Sequence, residues 1–305
     1  MKNLIALFVT FMLSATAYSA PTSILVPFGP GGSSDIVART LAKGLPDGEY
    51  YVLNMPGGKG IPAIQHTINS SSLMVATLVQ YYVSNPLTVP NLPYNINTDV
   101  DLIGAIGVVP TVLVCNNKNV PVKNFKDLKT IKRPLNIGVS SVGSQEHVDA
   151  EIMAKNMSTL EVPQIVIYSQ GGASYIPDLI SGNIDCIAGL YPAIKSQLTN
   201  PTLTALITTH SIDNVAVSWE SVFKKPFPYQ GVSGLLVSKN INGSARNTII
   251  SQLTALFNQE SFKQQLKDQG YIPIASTDPI VLNDIIKKQQ DIHEFLNKNQ
   301  IKLQQ

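Results

Sequence analysis

Arginine is nearly missing from this chain. Of 22 basic residues only three, Arg39, Arg133 and Arg246, are arginine. The formal net charge is +2 and only 14% of residues are charged, so no basic field exists to recruit nucleic acid or an acidic membrane surface. Histidine is equally sparse: His66, His147, His210 and His293 are scattered without metal-ligand spacing, so neither a metal nor a cofactor is expected. Long apolar runs are also lacking. The longest, Leu4 to Leu13, is about half of the roughly 20 residues a membrane span requires. There are two cysteines, Cys115 and Cys186, each inside an apolar β-like run. An exported chain could pair them, but burial as small hydrophobes suits their neighbours as well, and unpaired thiols are the expectation.

Residues 1–20 read as a secretory signal peptide. Lys2 supplies the positive start, Leu4 to Leu13 the apolar core, and the small residues from Ala15 onward lead to cleavage between Ala17 and Ala20. Losing Lys2 lowers the net charge from +2 to +1. At 305 residues and 44% apolar content, with 20 Gly and 20 Pro, the chain suits two globular units rather than one small domain. No stable membrane insertion is expected of the mature chain.

Strand-like runs alternate with helical segments of 8–15 residues, which predicts an α/β fold with largely parallel sheets. At least three strands end in small or glycine-rich loops that open a helix. The first is Val26 to Arg39, V-P-F-G-P-G-G-S-S-D-I-V-A-R, with a helix starting at Ser33 or Ser34. Gly31 and Gly32 let backbone approach a ligand, Ser33 or Ser34 can cap the helix, and its free N–H groups favour a small anion. The second loop is Ser140, Ser141, Val142, Gly143 and Ser144. The third is Ser169, Gln170, Gly171, Gly172 and Ala173. In open α/β sheets, ligands bind at such strand ends. Neither nucleotide-binding glycine fingerprint is present.

The order of these loops resembles the tripartite tricarboxylate transporter substrate-receptor family, the Bug family of periplasmic solute-binding proteins. The resemblance rests on the first loop and on N-x-P-G-x-x-G at Asn54 to Gly60. Further matches are Asn85-Pro86, Leu92 to Tyr94 ahead of Asp99, and S-S-x-G-S-x-x-H at Ser140 to His147. The chain then adds Gly171 to Ala173, L-I-S-G-N-I-D at Leu179 to Asp185, and G-x-x-x-S-K in a late strand. It covers essentially the whole mature chain. It implies two lobes of type II-like periplasmic-binding-protein architecture, joined by a hinge with a cleft between them. Lobe one would be residues 21–107 plus 226–305, and lobe two residues 108–225. It implies a monomeric periplasmic receptor that passes a small organic acid to the membrane permease subunits of a tripartite transporter; a sensor partner of a signalling receptor is the alternative.

The chain departs from the family pattern at four places. Val142 stands for a usual Gly, Ser169 for a usual Tyr, and Gly189 for a frequent carboxylate. Ser238 to Asn242 lacks its usual proline. The resemblance carries ligand contact onto Phe28, Gly31, Gly32, Ser33, Ser34 and Asp35 of the first lobe. In the second lobe it points to Ser140, Ser141, Gly143, Ser144, His147, Ser169, Gly171, Gly172, Ala173 and Gly189. Asp35 is equally well read as an i,i+4 partner of Arg39, and His147 as a packing or capping residue. Neutral donors at two helix N-termini suit one carboxylate each, which makes a small diacid the natural ligand. Ser144 and His147 three apart, without a G-x-S-x-G elbow, do not make a nucleophile, and no catalytic residue is assigned.

Overall fold

The computed structural model describes residues 22–157, 161–301 and 303. The signal peptide read in residues 1–20 lies outside them. Eleven strands form two mixed sheets among these residues. They are β1 Thr22–Val26, β2 Tyr50–Asn54, β3 Leu73–Thr77, β4 Val100–Val108, β5 Thr111–Asn116 and β6 Asn136–Val139. The chain continues with β7 Gln164–Ile167, β8 Cys186–Leu190, β9 Leu203–Thr208, β10 Val232–Ser238 and β11 Ile272–Ser276. Seven described α-helices have six or more residues: α1 Ser33–Gly44, α2 Ile61–Ile68, α3 Gln145–Asn156, α4 Ile176–Ser181, α5 Gly243–Phe257, α6 Glu260–Gln269 and α7 Pro279–Lys298.

The six-stranded sheet runs β11-β4-β10-β3-β1-β2 and the five-stranded sheet β7-β6-β8-β5-β9. The expectation of largely parallel sheets is corrected. β1 pairs in parallel with β2 and β3, and β6 with β7 and β8. The pairs involving β4, β5, β9, β10 and β11 are antiparallel. The cause is the path of the chain. It leaves the first sheet by β4, enters the second directly through β5, and later returns from β9 to β10, so the crossing strands run against their neighbours. The first passage is Val109-Pro110, since Val108 still pairs with Val232 and Ile272.

Period-two alternation puts the two faces of each sheet into different cores. Ile24 and Val26 join the cluster under α1 and α5, while Leu25 between them faces the other way. In β5, Val112 and Val114 pack in one cluster and Leu113 and Cys115 in another. Cys115 and Cys186 are register partners across β5 and β8, with Cα atoms 3.9 Å apart, and they form a disulfide. That overturns the expectation of free thiols. Their apolar surroundings were read correctly, but pairing depends on strand register, which local composition does not encode.

Candidate functional site

The first loop is folded by Asp35. Gly31 takes a left-handed φ of +83° and its N–H donates to Asp35 Oδ2 at 3.0 Å. Arg39 donates to both carboxylate oxygens at 3.0 Å, and Asn54 Nδ2 donates to Oδ1 at 2.9 Å and to the Phe28 carbonyl at 3.0 Å. Burial pushes the Asp35 carboxyl up, but these bonds outweigh it and leave it below its ordinary value. Asp35 therefore shapes the loop from behind. The N-cap of α1 is Gly32, without a side-chain cap, so neither Ser33 nor Ser34 caps the helix as expected. The Ser33 and Ser34 N–H groups precede the first intrahelical bond, and both residues line a cleft between the two sheets.

In the second loop Ser144 is the cap, its Oγ accepting the His147 N–H at 3.1 Å. His147 Nδ1 accepts the Gly143 N–H at 3.0 Å, and the imidazole is fully buried. His147 thus holds the loop in shape and is not part of the cleft wall. Gly143 has φ +78° and lies against Ser84, where an added Cβ would come within 2.6 Å of the serine Cβ. Ser141 is buried and off the cleft wall, its Oγ without a partner among the described residues. In the third loop Gly171, at φ +108°, packs against Phe28, where an added Cβ would lie 3.5 Å from the Phe28 Cβ, and the Ala173 Cβ would lie 3.9 Å from one added at Gly31. Ser169 is exposed and outside the cleft wall, while the neighbouring Tyr168 hydroxyl donates to Asp178 at 2.7 Å. Gly189 packs inward, where a Cβ would meet Ile194 at 2.8 Å and the Tyr175 hydroxyl at 3.1 Å.

The cleft, counted with its part open to solvent, spans about 380 Å³. One wall comes from Phe28, Gly32, Ser33, Ser34 and Thr77. The facing wall combines Ser140 and Ser144 with Gln145 and Glu146 of α3, then Gly172, Leu190 and Ala193. Helices α1 and α3 both open their N-termini toward this space, and no Lys, Arg or His lines it. Such an arrangement can hold an anion with neutral donors and dipole ends.

Sequence reasoning missed Thr77, Gln145, Glu146, Leu190 and Ala193. Thr77 carried the signal already used elsewhere, a polar residue at the end of an apolar strand. Glu146 carried another, an acid in the first turn of a helix beside a candidate loop. Glu146 is 2% exposed. Burial raises its carboxyl above the ordinary value against hydrogen bonds from Ser140, Tyr175 and the Leu190 backbone. Among the described residues no group of three or more His, Cys, Asp or Glu is arranged to hold a metal ion, and no helix is long and apolar enough to cross a membrane.

Residues 34–218 match the family described as the tripartite tricarboxylate transporter family receptor. Protein BugT of Bordetella pertussis is 30% identical over 207 residues, a stretch that is 64% of this chain and 62% of BugT, so under two thirds of that relative's length is spanned. Among solved structures, Rpa4515 of R. palustris with adipate superposes with a TM-score of 0.82 at 20% identity, covering 91% of this chain and 96% of that one. MatC of Rhodopseudomonas palustris with bound malate gives 0.74 at 17% identity, covering 90% and 98%. At these identities the superpositions speak for the fold. The two-sheet α/β architecture also matches that of the periplasmic binding protein BugD, with a TM-score of 0.80 at 19% identity, covering 92% of this chain and 98% of that one, and with most of its length matched the chain belongs to the tripartite tricarboxylate transporter receptor family.

Proposed function

We propose that this chain is an exported, monomeric periplasmic receptor that closes two lobes around a small organic carboxylate and delivers it to the permease subunits of a tripartite transporter. The observation that carries the reading is the cleft itself, with two helix N-termini and serine hydroxyls converging on it and no cationic side chain in its wall. Relatives of the same fold solved with adipate and malate support it. Residues 21–107 plus 226–305 would form lobe one and residues 108–225 lobe two, after signal-peptide cleavage. A carboxylate would rest on the N–H groups and hydroxyls of Ser33 and Ser34 beside Gly32, with Ser140 and Ser144 closing from the other lobe. Each charge-assisted hydrogen bond contributes roughly 1.5–3 kcal/mol, and micromolar affinity corresponds to about −8 kcal/mol, so several such bonds suffice. The neutral loops bind and release; no paired acid and base stands ready for chemistry, and the role is capture rather than catalysis.

A thermal-shift screen of carboxylates, sugars and cations tests the reading. A matching acid at about 100 times its Kd adds roughly 2.7 kcal/mol of stability. A shift with a sugar or a cation and with no carboxylate refutes the proposal. A sharper test is Gly32→Val. Gly32 has φ −73° and its nearest neighbour to an added Cβ is the Gly29 carbonyl oxygen at 3.7 Å, so the substitution fits the fold. Its branched side chain would enter the space of the ligand carboxylate. The expected result is an unchanged melting temperature without ligand and at least a hundredfold loss of affinity by calorimetry. Unchanged affinity would remove this loop from the site.

A further inference from the structure

Glu146 lies in the wall of the proposed carboxylate trap. A site for two carboxylates needs hydrogen-bond donors at both ends. On the α3 side those donors are already taken. Glu146 Oε2 accepts the Ser140 N–H at 3.1 Å and Oε1 accepts the Tyr175 hydroxyl at 2.8 Å. The Ser140 hydroxyl and the Leu190 backbone bond the same carboxyl group. The backbone at Gly172 closes over it, since a Cβ there would sit 2.8 Å from Oε1. Glu146 is second in α3, where the helix dipole favours a carboxylate. The side chain therefore stands where a second ligand carboxylate would find its donors.

The neighbouring side chain of α3 adds no donor. Gln145 directs its amide nitrogen to the Val109 carbonyl at 2.6 Å, and its side-chain amide packs against Gly231. Across the cleft the first N–H groups of α1 stay free for an anion. The two ends of the cleft thus differ in kind: one receives a carboxylate, and the other already holds one.

We infer that Glu146 is a built-in counter-carboxylate that selects monocarboxylates whose far end donates a hydrogen bond, through a hydroxyl or an ammonium group, and excludes dicarboxylates of equal length. The inference rests on the carboxylate reading above. It reverses the diacid expected from two matched helix N-termini. Like charges a few ångströms apart repel, the more so the less water lies between them, and a donor there meets a carboxylate acceptor instead. In either charge state Glu146 occupies the Ser140 N–H and the Tyr175 hydroxyl, which keeps those donors from a ligand carboxylate.

The test is calorimetry on the purified mature chain with length-matched probes: glutarate, 5-hydroxypentanoate and 5-aminopentanoate, then succinate, 4-hydroxybutyrate and 4-aminobutyrate. The hydroxy or amino acid of a set is expected to bind at least tenfold tighter than its diacid, and the two arms tell hydroxyl from ammonium. Glu146→Ala, which frees the donors, is expected to shift that ratio at least tenfold toward the diacid. Glu146→Gln serves if the alanine variant does not fold, and the unaltered protein's ranking decides alone if neither does. A diacid bound as tightly as its partners, or a ratio unmoved by the substitution, overturns the inference while leaving the carboxylate reading standing. Binding of no acid from either class defeats both.

Discussion

Removing the Cys115–Cys186 bond lowers the unfolding free energy by about 4 kcal/mol, the loop-closure value for a separation of 71 residues. The bond ties β5, the first strand of the five-stranded sheet, to its neighbour β8. Both cysteines are fully buried, so a reductant reaches them only when the sheet opens. The expected result is a urea midpoint that drops for a Cys115→Ala/Cys186→Ala double variant, and for the parent chain unfolded and refolded with reductant. Reductant added to the folded protein should act slowly. Equal midpoints for the bridged protein and the double variant would show that the crosslink contributes nothing. The bond also suits an exported chain, because such bonds persist in oxidising compartments.

Asp149 gives the second large effect, and it depends on pH. This carboxyl is 1% exposed and sits between the two passages that join the sheets. Thr111, just past the first passage, donates to Oδ2 at 2.5 Å, and Tyr229, on the second passage, donates to Oδ1 at 2.5 Å. Gln145 lies alongside, and Glu146 is the charged group nearby. Burial pushes Asp149 up from 3.8 to about 7, against the pull of its hydrogen bonds to Thr111, Tyr229 and Gln145. Below about pH 4 the group is protonated in both folded and unfolded chains and has no effect. Between about pH 4 and 7 the unfolded chain releases the proton while the folded chain keeps it, so stability falls as pH rises; above pH 7 the loss is complete. At about 1.36 kcal/mol per pH unit, this group makes the protein more stable at pH 5 than at pH 8 by about 2–3 kcal/mol. Asp149→Asn keeps one donor and one acceptor and removes the titration. Urea unfolding at the two pH values should show the variant's pH difference smaller by that amount. An identical difference in both proteins would mean that Asp149 ionises in the folded chain as it does in the unfolded one.

The same stretch of α3 connects the cleft to the joint between sheets. Gln145 lines the cleft, donates to Val109 on the first passage, and lies over Gly231 on the second, where an added Cβ would come within 2.0 Å of its side-chain amide. The Val109 N–H donates to the Gly231 carbonyl at 2.8 Å, which ties the passages together. Ligand-driven closure needs contacts that differ between open and closed states. A helix that touches both the cleft and the joint is placed to supply them.

Much of this was legible in the residues. The strand–loop–helix units after Val26 and Val139 follow from short-range pattern, because caps, glycines and apolar runs act over a few residues. Strands β4 and β11 were not legible as strands, since Gly104, Gly107 and Pro273 interrupt the expected pattern. The Asp35–Arg39 pair is an i,i+4 matter and was readable; that the same carboxylate accepts from Gly31 and Asn54 was not, because Asn54 comes from β2. His147 could be read as ligand contact or as packing; the structure buries it and has its Nδ1 accept the Gly143 N–H, a contact that spacing alone did not reveal. Glu146 looked like an ordinary first-turn acid. Its importance appears only when β8 and the segment around Tyr175 are folded against α3.

The sequence by itself determined an α/β chain with glycine- and serine-rich loops at strand ends and almost no arginine to place in them. Those properties depend on residue type and local spacing. Tertiary structure alone decided the pairing of Cys115 with Cys186, the mixed direction of the sheets, and the place of Glu146 in the cleft wall. The first loop keeps unpaired N–H groups at the start of its helix; on the facing side the donors lie on the loop after β6, on the segment at Tyr175 and on β8, and only folding brings them onto one glutamate.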